Sequence, residues 1–516
     1  MEQRKHWKIM ALVQLFGSTY KLGERGNGTQ DLINFFFESY TAGNTKSDYA
    51  IVPTPGFDLV KRLSENPLDK CKGLYTSSSG TAPDYRPRMY GVFGTKAYRF
   101  KVDMSDAYQI GTIGDYGVPT TQTDNGFYTV IADSVSLFKA KLDDLDGIPT
   151  WSQVTLPVVP KTGQQVEPSH VVFIGQRLVI NSKNTNYWFF SDLTSPTTLT
   201  GGETFQDGSF YSAEQSSDPI IALKNVNGSL WMWGYRSYEV WRPQNNQDDP
   251  FAYVGGSAGA IGCEAPYSVA VVGDLCFWLG ASDVGASTVF MGQGTTVTDI
   301  TDGVYDEIIS ISNRSQAIGY AYKYKENVFY VLTFEAENKT FVYDATTKKW
   351  HKRSLRNVNE GADLYYPYQW ATVGADGEIY FGLYGFDSCI VRMNPRKFTE
   401  WDGRLIRREA VSRPIFDNLD MISIRQLMID CEVGSTEILD GQGSNPQMCM
   451  QISKDGGNTY GLSVKKYLGK QGNYRQLVRW NNIGACRYPV FKLWISDGVP
   501  CSIFNARLEY NKWGLS

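Results

Sequence analysis

The sequence predicts an all-β chain in which a β-propeller of six or seven blades is followed by a C-terminal β-sandwich. Three observations predict this fold class. A strand-rich unit recurs seven times, hairpin-forming dipeptides lie inside the units, and the pattern changes beyond residue 400. Self-similarity at a period of roughly 40 to 50 residues, with several strand-like runs in each period, is typical of propeller blades.

The repeated unit begins with an apolar run. The seven runs start near Met89, Phe127, Val171, Ile220, Val269, Ile318 and Trp370. Successive starts are 38, 44, 49, 49, 49 and 52 residues apart. The second unit, from Phe127 to Phe138, is the weakest copy, so the count stays at six or seven. Strands near Phe35 or Ile51 are candidates to complete the last blade.

Tight turns join the first two runs of several units. The turn dipeptides are Gly175-Gln176, Asn227-Gly228, Gly273-Asp274 and Asp376-Gly377. Glycine and asparagine tolerate the positive φ that short hairpins require. These units therefore predict antiparallel hairpins.

The chain divides into three predicted segments. Residues 1–60 form an N-terminal segment whose strands either close the propeller or contact neighbours, residues 61–402 form the propeller, and residues 403–516 form the sandwich. In the last segment, the run Ile503 to Tyr510 alternates apolar and polar residues, as a half-buried strand does. The mixed-charge connector Arg396 to Arg408 is interpreted as a solvated linker, with a DNA-facing or partner-facing patch as the alternative.

Composition argues against several functional classes. The formal net charge is −4, which does not suggest a globally basic nucleic-acid binder or an acidic tail. Eight cysteines without CxxC pairs and only three histidines (His6, His170 and His351) disfavour structural zinc and multi-histidine metal sites. We therefore predict no catalytic residues, no cofactor-binding residues and no metal ligands, and cysteines that stay reduced in a cytoplasm.

The N-terminal run Ile9 to Phe16 loosely imitates a signal peptide. Gln14 interrupts it and no small-residue cleavage site follows, so a leading strand is favoured. No run approaches the roughly 20 apolar residues that a membrane span needs. We expect no membrane-spanning segment and no glycosylation at the Asn-x-Ser/Thr triplets, which begin at Asn27, Asn227, Asn313 and Asn338.

Four segments have both a structural and a functional interpretation. The run Ser453 to Tyr460 fits the Asp-box pattern of sialidases, and we interpret it as a structural turn and not as part of a glycosidase. The glycine-rich run Gly255 to Gly262 lacks the Gly-Lys-Ser/Thr ending of a P-loop, so an inter-blade loop is favoured. The aromatic stretches Leu230 to Trp233 and Tyr365 to Trp370 are either blade core or anchors of subunit interfaces.

Five segments, in order, resemble the packaged-DNA stabilisation proteins, the tail-hub or nozzle proteins of short-tailed bacteriophages. The segments are Asn34-Phe35-Phe36-Phe37-Glu38 running to Pro53-Thr54-Pro55-Gly56-Phe57, Trp188 to Leu193 followed by Tyr211 to Ile221, Gly259 to Gly262, Val342 to Ala345 before a Trp, and Ser453 to Tyr460. The resemblance covers most of the chain, from about residue 30 to 510. The chain is longer than the members of this family from enteric phages, with an extended stretch near Asn357 to Tyr368.

The resemblance implies a structural virion protein without catalytic residues, made in the host cytoplasm. Members of the family form a six-fold ring beneath the portal adaptor, extend the DNA channel and help to retain the genome. The implied partners are copies of the chain itself, the portal adaptor or head-completion protein, a tail needle or plug, tailspikes or fibres, and double-stranded DNA contacted without sequence specificity. Two rival interpretations are a glycan-binding or glycan-hydrolysing propeller and a monomeric interaction propeller.

Overall fold

The computed structural model describes most of the chain. The described residues are 8–13, 15–20, 30–39, 49–64, 66, 69–78, 86–142, 148–194, 202–213, 218–282, 288–357, 361–385, 387–415 and 420–513. Of the sequence features above, His6, Gln14, Asn27 and residues 214–217 and 358–360 lie outside the described residues.

Seven antiparallel sheets of at least four strands each form the blades, which are numbered here in chain order and written from the inner to the outer strand. Blade 1 contains Cys71–Thr76, Met89–Phe93, Lys96–Phe100 and Ala107–Thr112. Blade 2 contains Thr121–Asp124, Tyr128–Ala132, Leu137–Lys141 and Trp151–Gln153. Blade 3 contains Val171–Ile174, Arg177–Asn181, Tyr187–Ser191 and Phe205–Ser212. Blade 4 contains Ala222–Val226, Ser229–Trp233, Tyr238–Pro243 and Phe251–Tyr253.

The remaining blades carry small additions. Blade 5 contains Ala270–Val272, Leu275–Ser282, Thr288–Gln293 and Thr296–Asp299, and Ile261–Cys263 also pairs with its second strand. Blade 6 contains Ile318–Tyr324, Asn327–Phe334, Lys339–Asp344 and Lys349–Lys352. Blade 7 contains Tyr368–Val373, Ile379–Leu383, Ser388–Asn394 and Gly56–Ser64. A short hairpin of Leu355–Asn357 and Ala362–Leu364 lies between blades 6 and 7.

Helices are few and short within the described residues. One α-helix spans Tyr305–Ile309, and the 3₁₀ turns are Pro266–Ser268, Asp302–Val304, Arg314–Gln316 and Glu335–Glu337. The all-β prediction is therefore confirmed.

The inner strands recur more regularly than the sequence pattern indicated. They begin at residues 71, 121, 171, 222, 270, 318 and 368, which are 48 to 51 residues apart. The predicted starts at Met89 and Phe127 mark the second strands of blades 1 and 2, which explains the two short spacings. Each inner strand contacts the inner strand of the next blade, and that of blade 7 contacts that of blade 1, so the seven blades close into a ring.

Ring closure depends on a strand from the N-terminal part of the chain. Gly56–Ser64 supplies the outer strand of blade 7, with Met393 opposite Phe57. The Phe57 ring is buried and stacks on Tyr368 with 3.6 Å between ring centroids. The Trp370 indole also donates to the Cys71 carbonyl of blade 1 at 3.2 Å. Strand pairing and side-chain contacts thus seal the ring at the same place.

The predicted hairpins form, with one difference in loop length. Gly175 and Gln176 have φ of 57° and 59°, and Asn227 and Gly228 have φ of 47° and 78°. Both pairs form two-residue loops in the left-handed region, as type I′ turns require. The turn that contains Asp376-Gly377 is longer, because Val373 is the partner of Ile379.

The C-terminal region is a sandwich of two sheets. The first has the order Phe35–Ser39, Tyr49–Pro53, Ile503–Trp513, Met421–Cys431 and Val478–Cys486, and Lys8–Val13 also pairs with Ile503–Trp513. The second has the order Asp31–Ile33, Arg408–Val411, Val490–Ile495, Gln447–Ser453 and Val464–Tyr467. Leu427, Leu508 and Phe491 are buried between the two sheets, together with Leu32 and Phe35.

The strands at Phe35 and Ile51 therefore belong to the sandwich, and the strand after them closes the propeller. Strand Asp31–Ile33 pairs in parallel with the outer strand of blade 6 and antiparallel with Arg408–Val411. Blade 6 and one sandwich sheet are thus a single nine-stranded sheet. The predicted domain boundaries at residues 60 and 402 stay predictions.

Candidate functional site

A cavity of about 750 Å³ opens at one mouth of the propeller ring. Its wall includes residues that precede the inner strand of every blade, namely Lys70, Pro119, Ser169, Ile220, Pro266, Gln316 and Tyr365. A volume of several hundred Å³ is usual for small-molecule sites. A cavity of this volume is too small to enclose a length of duplex DNA.

An ion pair occupies the side of the cavity between blades 1, 6 and 7. The Lys70 ammonium lies 2.5 Å from a carboxylate oxygen of Glu335 and 4.6 Å from the centroid of the Tyr384 ring. The Tyr365 hydroxyl donates to the Tyr384 carbonyl at 3.1 Å. Burial, together with the Glu335 charge, raises the pKa of both tyrosines above their usual range. Lys70 thus neutralises the carboxylate that is nearest to these tyrosines.

The two described histidines are buried and uncharged at neutral pH. His170 stacks on Tyr267 with 5.4 Å between centroids, and the Tyr267 hydroxyl lies 2.7 Å from the Ser134 hydroxyl. Burial lowers the pKa of His170 to about 3 and places that of His351 well below its usual value. A general base works best when its pKa lies near the working pH, and the pKa values of both histidines lie well below neutral pH.

Asn34 joins three segments at the junction of propeller and sandwich. Its side-chain amide donates to the Ser354 carbonyl at 2.9 Å and to the Arg407 carbonyl at 2.8 Å. Its amide oxygen accepts from the Ser354 backbone N–H at 3.1 Å. Asn34 has φ of 55°, a conformation that asparagine tolerates better than most residues. This contact links the end of blade 6 to the chain that enters the sandwich.

A buried charge cluster lies beside Asn34. The Lys352 ammonium is 2.7 Å from an Asp31 oxygen and 2.8 Å from a Glu307 oxygen. Burial raises the pKa of Asp31, although the neighbouring Lys352 ammonium acts to lower it. Burial acts to lower the pKa of Lys352, but the two carboxylates outweigh it and raise this pKa. Blade 6 and the strand Asp31–Ile33 are therefore held by charge as well as by backbone pairing.

Most of the basic side chains of the connector are engaged. Lys397 pairs with Asp58 at 3.1 Å, Arg404 with Asp402 at 2.6 Å and Arg407 with Glu409 at 2.6 Å. Arg408 is fully buried and donates to the Val499 carbonyl at 2.7 Å and to the Asp497 carbonyl. Of the five basic connector residues, Arg396 is exposed and makes no side-chain ion pair within the described residues. The connector is thus a packed segment in which three of the five basic side chains pair with carboxylates.

The Asp-box segment forms a turn in which the aspartate bonds locally. Asp455 accepts from the Ser453 hydroxyl at 2.6 Å, from the Thr459 hydroxyl at 2.6 Å and from the Thr459 backbone N–H at 2.9 Å. These hydrogen bonds hold the pKa of Asp455 well below its usual range, with that from Ser453 the largest cause. The carboxylate is occupied in shaping its own turn.

The glycine-rich segment lies between blades 4 and 5. Gly259 forms an antiparallel bridge with Tyr238, and the Ser257 hydroxyl donates to the Val254 carbonyl at 2.6 Å. The segment leads into Ile261–Cys263, which pairs with blade 5. It joins two blades and not a parallel strand to a helix, so it differs from a phosphate-binding loop.

Both aromatic stretches contribute to cores within the chain. Trp231 and Trp233 are buried, with 5.7 Å between their ring centroids. Tyr366 and Tyr368 are buried in the core between blades 6 and 7. These side chains are not available to anchor contacts with another subunit.

Cysteines and metal-ligating groups are dispersed. All eight cysteines are free and buried. Across the part of the chain that the structure describes, no group of three or more His, Cys, Asp or Glu side chains could hold a metal ion. In the same residues, no helix has the length and apolar character needed to cross a lipid bilayer.

Comparison with family models identifies the architecture. Residues 70–382 match the model described as "Bacteriophage P22 Gp10, beta-propeller", and residues 407–511 match "Bacteriophage P22 Gp10, beta-sandwich". The chain belongs to the bacteriophage P22 Gp10 family. This family comprises tail hub or nozzle proteins of podoviruses, so the chain is a structural phage tail protein.

Other comparisons add little to the P22 Gp10 assignment. A search of curated proteins finds no match. An exo-β-1,3-galactanase from Phanerochaete chrysosporium is similar, at 11% identity and a TM-score of 0.30, over 77% of this chain and 96% of that chain. The extracellular domain of a putative hybrid two-component system from B. thetaiotaomicron is similar, at 9% identity and a TM-score of 0.40, over 67% of this chain and 40% of that chain. Likeness at this level carries no argument about function.

Proposed function

We propose that this P22 Gp10 family member is a subunit of a six-fold tail hub or nozzle ring. In this role it extends the DNA channel beneath the portal adaptor, helps to retain the packaged genome, and attaches the tail needle or plug and the tailspikes or fibres. One observation carries the proposal: both P22 Gp10 models match, in the order propeller then sandwich, over most of the chain.

The fold suits a part that bears mechanical load. Closure of the seven blades removes most free strand edges from the centre of the propeller. The N-terminal strands run through the sandwich and then into blade 7, so separating the two lobes means breaking strand pairing in both. Such a subunit transmits force without relying on a flexible linker.

The DNA channel of this proposal lies between subunits. The cavity at the propeller mouth, at about 750 Å³, is too small for a duplex, so a ring of copies must enclose the conduit. A formal charge of −4 per chain favours sliding over tight binding, because each phosphate contact adds to affinity.

We also propose that the chain has no catalytic activity, is made in the host cytoplasm and resides in the virion. Glu335 is neutralised by Lys70, and Asp455 is occupied by its own turn, which leaves both poorly placed for glycoside hydrolysis. Eight buried, free cysteines suit synthesis in a reducing compartment.

The decisive experiment is electron microscopy of virions, combined with loss of the protein. We expect density for six copies around the tail axis below the portal adaptor, and particles made without the chain should lose packaged DNA to added nuclease. Particles complemented with the wild-type gene should keep it. Particles that retain DNA without the chain, or turnover of glycans by the purified protein, would overturn the proposal.

A further inference from the structure

The second sandwich sheet exposes apolar side chains at the end that lies farthest from blade 6. We call this surface the sandwich rim. It consists of Leu462, Val464, Tyr467, Tyr474 and Leu477, whose exposed fractions are 93%, 48%, 53%, 71% and 57%. The strand Val464–Tyr467 ends its sheet, with one strand partner among the described residues. The Trp480 indole donates to the Val464 carbonyl at 3.0 Å, which places the last strands of the two sheets side by side.

Basic side chains surround the sandwich rim. Between residues 454 and 487 the sequence has seven lysines and arginines and a single acidic residue, Asp455. Five of these seven lie within three residues of a rim residue along the sequence and are here called the rim cations: Lys465, Lys466, Lys470, Arg475 and Arg479. None of them pairs with a carboxylate of the described residues, and Asp455 is held within its own turn. The rim therefore carries positive charge that the described part of the chain does not neutralise.

An apolar centre with a charged border is the anatomy of a protein interface. Tyrosine and arginine are enriched at such interfaces, and the border is polar and accessible. A surface that only contacts phosphates has no use for a leucine exposed as fully as Leu462. The strand Val464–Tyr467 is paired along one side only, and apart from the Val464 carbonyl, which accepts from Trp480, its other side offers backbone donors and acceptors to another chain. The rim thus fits an acidic protein surface better than it fits DNA.

The outer edge of blade 3 carries the complementary charge. Four aspartates lie in or near the strand Phe205–Ser212, and we call them the blade acids: Asp207 within the strand, Asp192 after the third strand of blade 3, and Asp248 and Asp249 in the loop before the outer strand of blade 4. Gln206 donates to Asp192 at 3.3 Å, and the Tyr211 hydroxyl donates to Asp249, which places both acids against this strand. None of the four forms an ion pair within the described residues.

We propose that the sandwich rim of one copy binds the blade acids of a second copy. The sandwich joins the propeller at blades 6 and 7, and blade 3 lies across the seven-membered ring from both. The two surfaces differ and lie on opposite sides of the subunit, so the contact is head-to-tail and generates a closed ring or a filament. This inference rests on the proposed ring function and names the surfaces that join its subunits.

Charge reversal tests the pairing directly. A rim variant carries Lys465→Glu, Arg475→Glu and Arg479→Glu, and a blade variant carries Asp192→Lys, Asp207→Lys and Asp248→Lys. Each should weaken self-association by roughly a hundredfold, because like charges then face each other across the contact. The matched control, Lys323→Glu with Lys348→Glu and Arg396→Glu, makes the same change in charge as the rim variant at exposed sites elsewhere.

Mixing the two reversed proteins should restore assembly, since each then presents surfaces of opposite charge to the other and the copies alternate around the ring. Sedimentation velocity across a salt series measures the association, and circular dichroism checks that each variant is folded. If wild-type protein assembles but the reversals and the mixture behave like the control, this inference fails while the ring proposal stands. If wild-type protein stays monomeric under all conditions, this inference fails, whereas the ring proposal is decided by the number of copies around the tail axis in virions. Loss of duplex-DNA binding by the rim variant with unchanged assembly would instead assign the rim to DNA.

Discussion

Replacing Asn34 with alanine should open the joint between the propeller and the sandwich. The substitution removes three hydrogen bonds, of 2.9, 2.8 and 3.1 Å, to backbone groups of Ser354 and Arg407. Each such bond contributes about 1 kcal/mol net, and alanine at the left-handed φ of 55° adds about 1 to 2 kcal/mol. The expected loss is therefore at least about 4 kcal/mol.

Asn184→Ala is the matched control for Asn34→Ala. Asn184 has φ of 60° and is exposed, so its substitution carries the backbone cost without the loss of a buried hydrogen-bond network. Asn34→Asp should cost at least as much as Asn34→Ala, because its buried carboxylate would face the Ser354 and Arg407 carbonyl oxygens without a donor.

Hydrogen exchange read by mass spectrometry provides the assay. A local loss of about 4 kcal/mol corresponds to roughly a thousandfold faster exchange in the strands Asp31–Ile33 and Arg408–Val411. The inner strand of blade 3, Val171–Ile174, should keep its protection and serves as an internal reference. If Asn34→Ala changes exchange no more than Asn184→Ala does, Asn34 is not a structural link and the reasoning is wrong.

Three further predictions concern other buried groups. Burial raises the pKa of Glu400 from its ordinary 4.5 to about 7, so between these pH values the folded state retains a proton that the unfolded chain releases. The free energy of unfolding should therefore fall by about 3 kcal/mol as pH rises from 4.5 to about 7. Urea unfolding measured at a series of pH values should show this fall for the wild-type protein and a flatter dependence for Glu400→Gln. Phe57→Ala should cost about 3 to 5 kcal/mol and speed exchange in blade 7, whereas Leu59→Ala, at an exposed position of the same strand, should not. Lys352→Met should lower the free energy of unfolding, measured by thermal unfolding, by about 3 to 5 kcal/mol, because it leaves the Asp31 and Glu307 carboxylates without their cation. Lys325→Met, which breaks an exposed ion pair, should lower it by less than about 1 kcal/mol.

The hairpins were predictable because their signals are local. Asn227-Gly228 and Gly175-Gln176 specify the turn conformation within two residues, and the flanking runs specify the strands. The chemistry of the Asp-box turn is equally local, since Asp455 bonds to residues two and four positions away.

Other features depend on segments that are distant in the sequence. Gly56–Ser64 completes blade 7 by pairing with Ser388–Asn394, and nothing in either run specifies the other. The sequence of the two aromatic stretches does not distinguish side chains of the blade core from side chains that anchor a subunit interface. Their packing against neighbouring blades shows that they belong to the core. Asn34 belonged to a family motif, but its role became visible only where three segments meet.

The amino-acid sequence by itself determined the all-β class, the recurring blade unit, most of the hairpin turns and the family, because strand periodicity and turn chemistry are written within a few consecutive residues. Only the tertiary structure decided that the blades number seven, that N-terminal strands bind both lobes together, and which charges lack a partner. The connector and the sandwich rim are similarly basic in sequence, yet the connector cations are largely neutralised by folding and the rim cations are not. Long-range pairing and burial set that difference, and both arise from contacts between residues that are far apart along the chain.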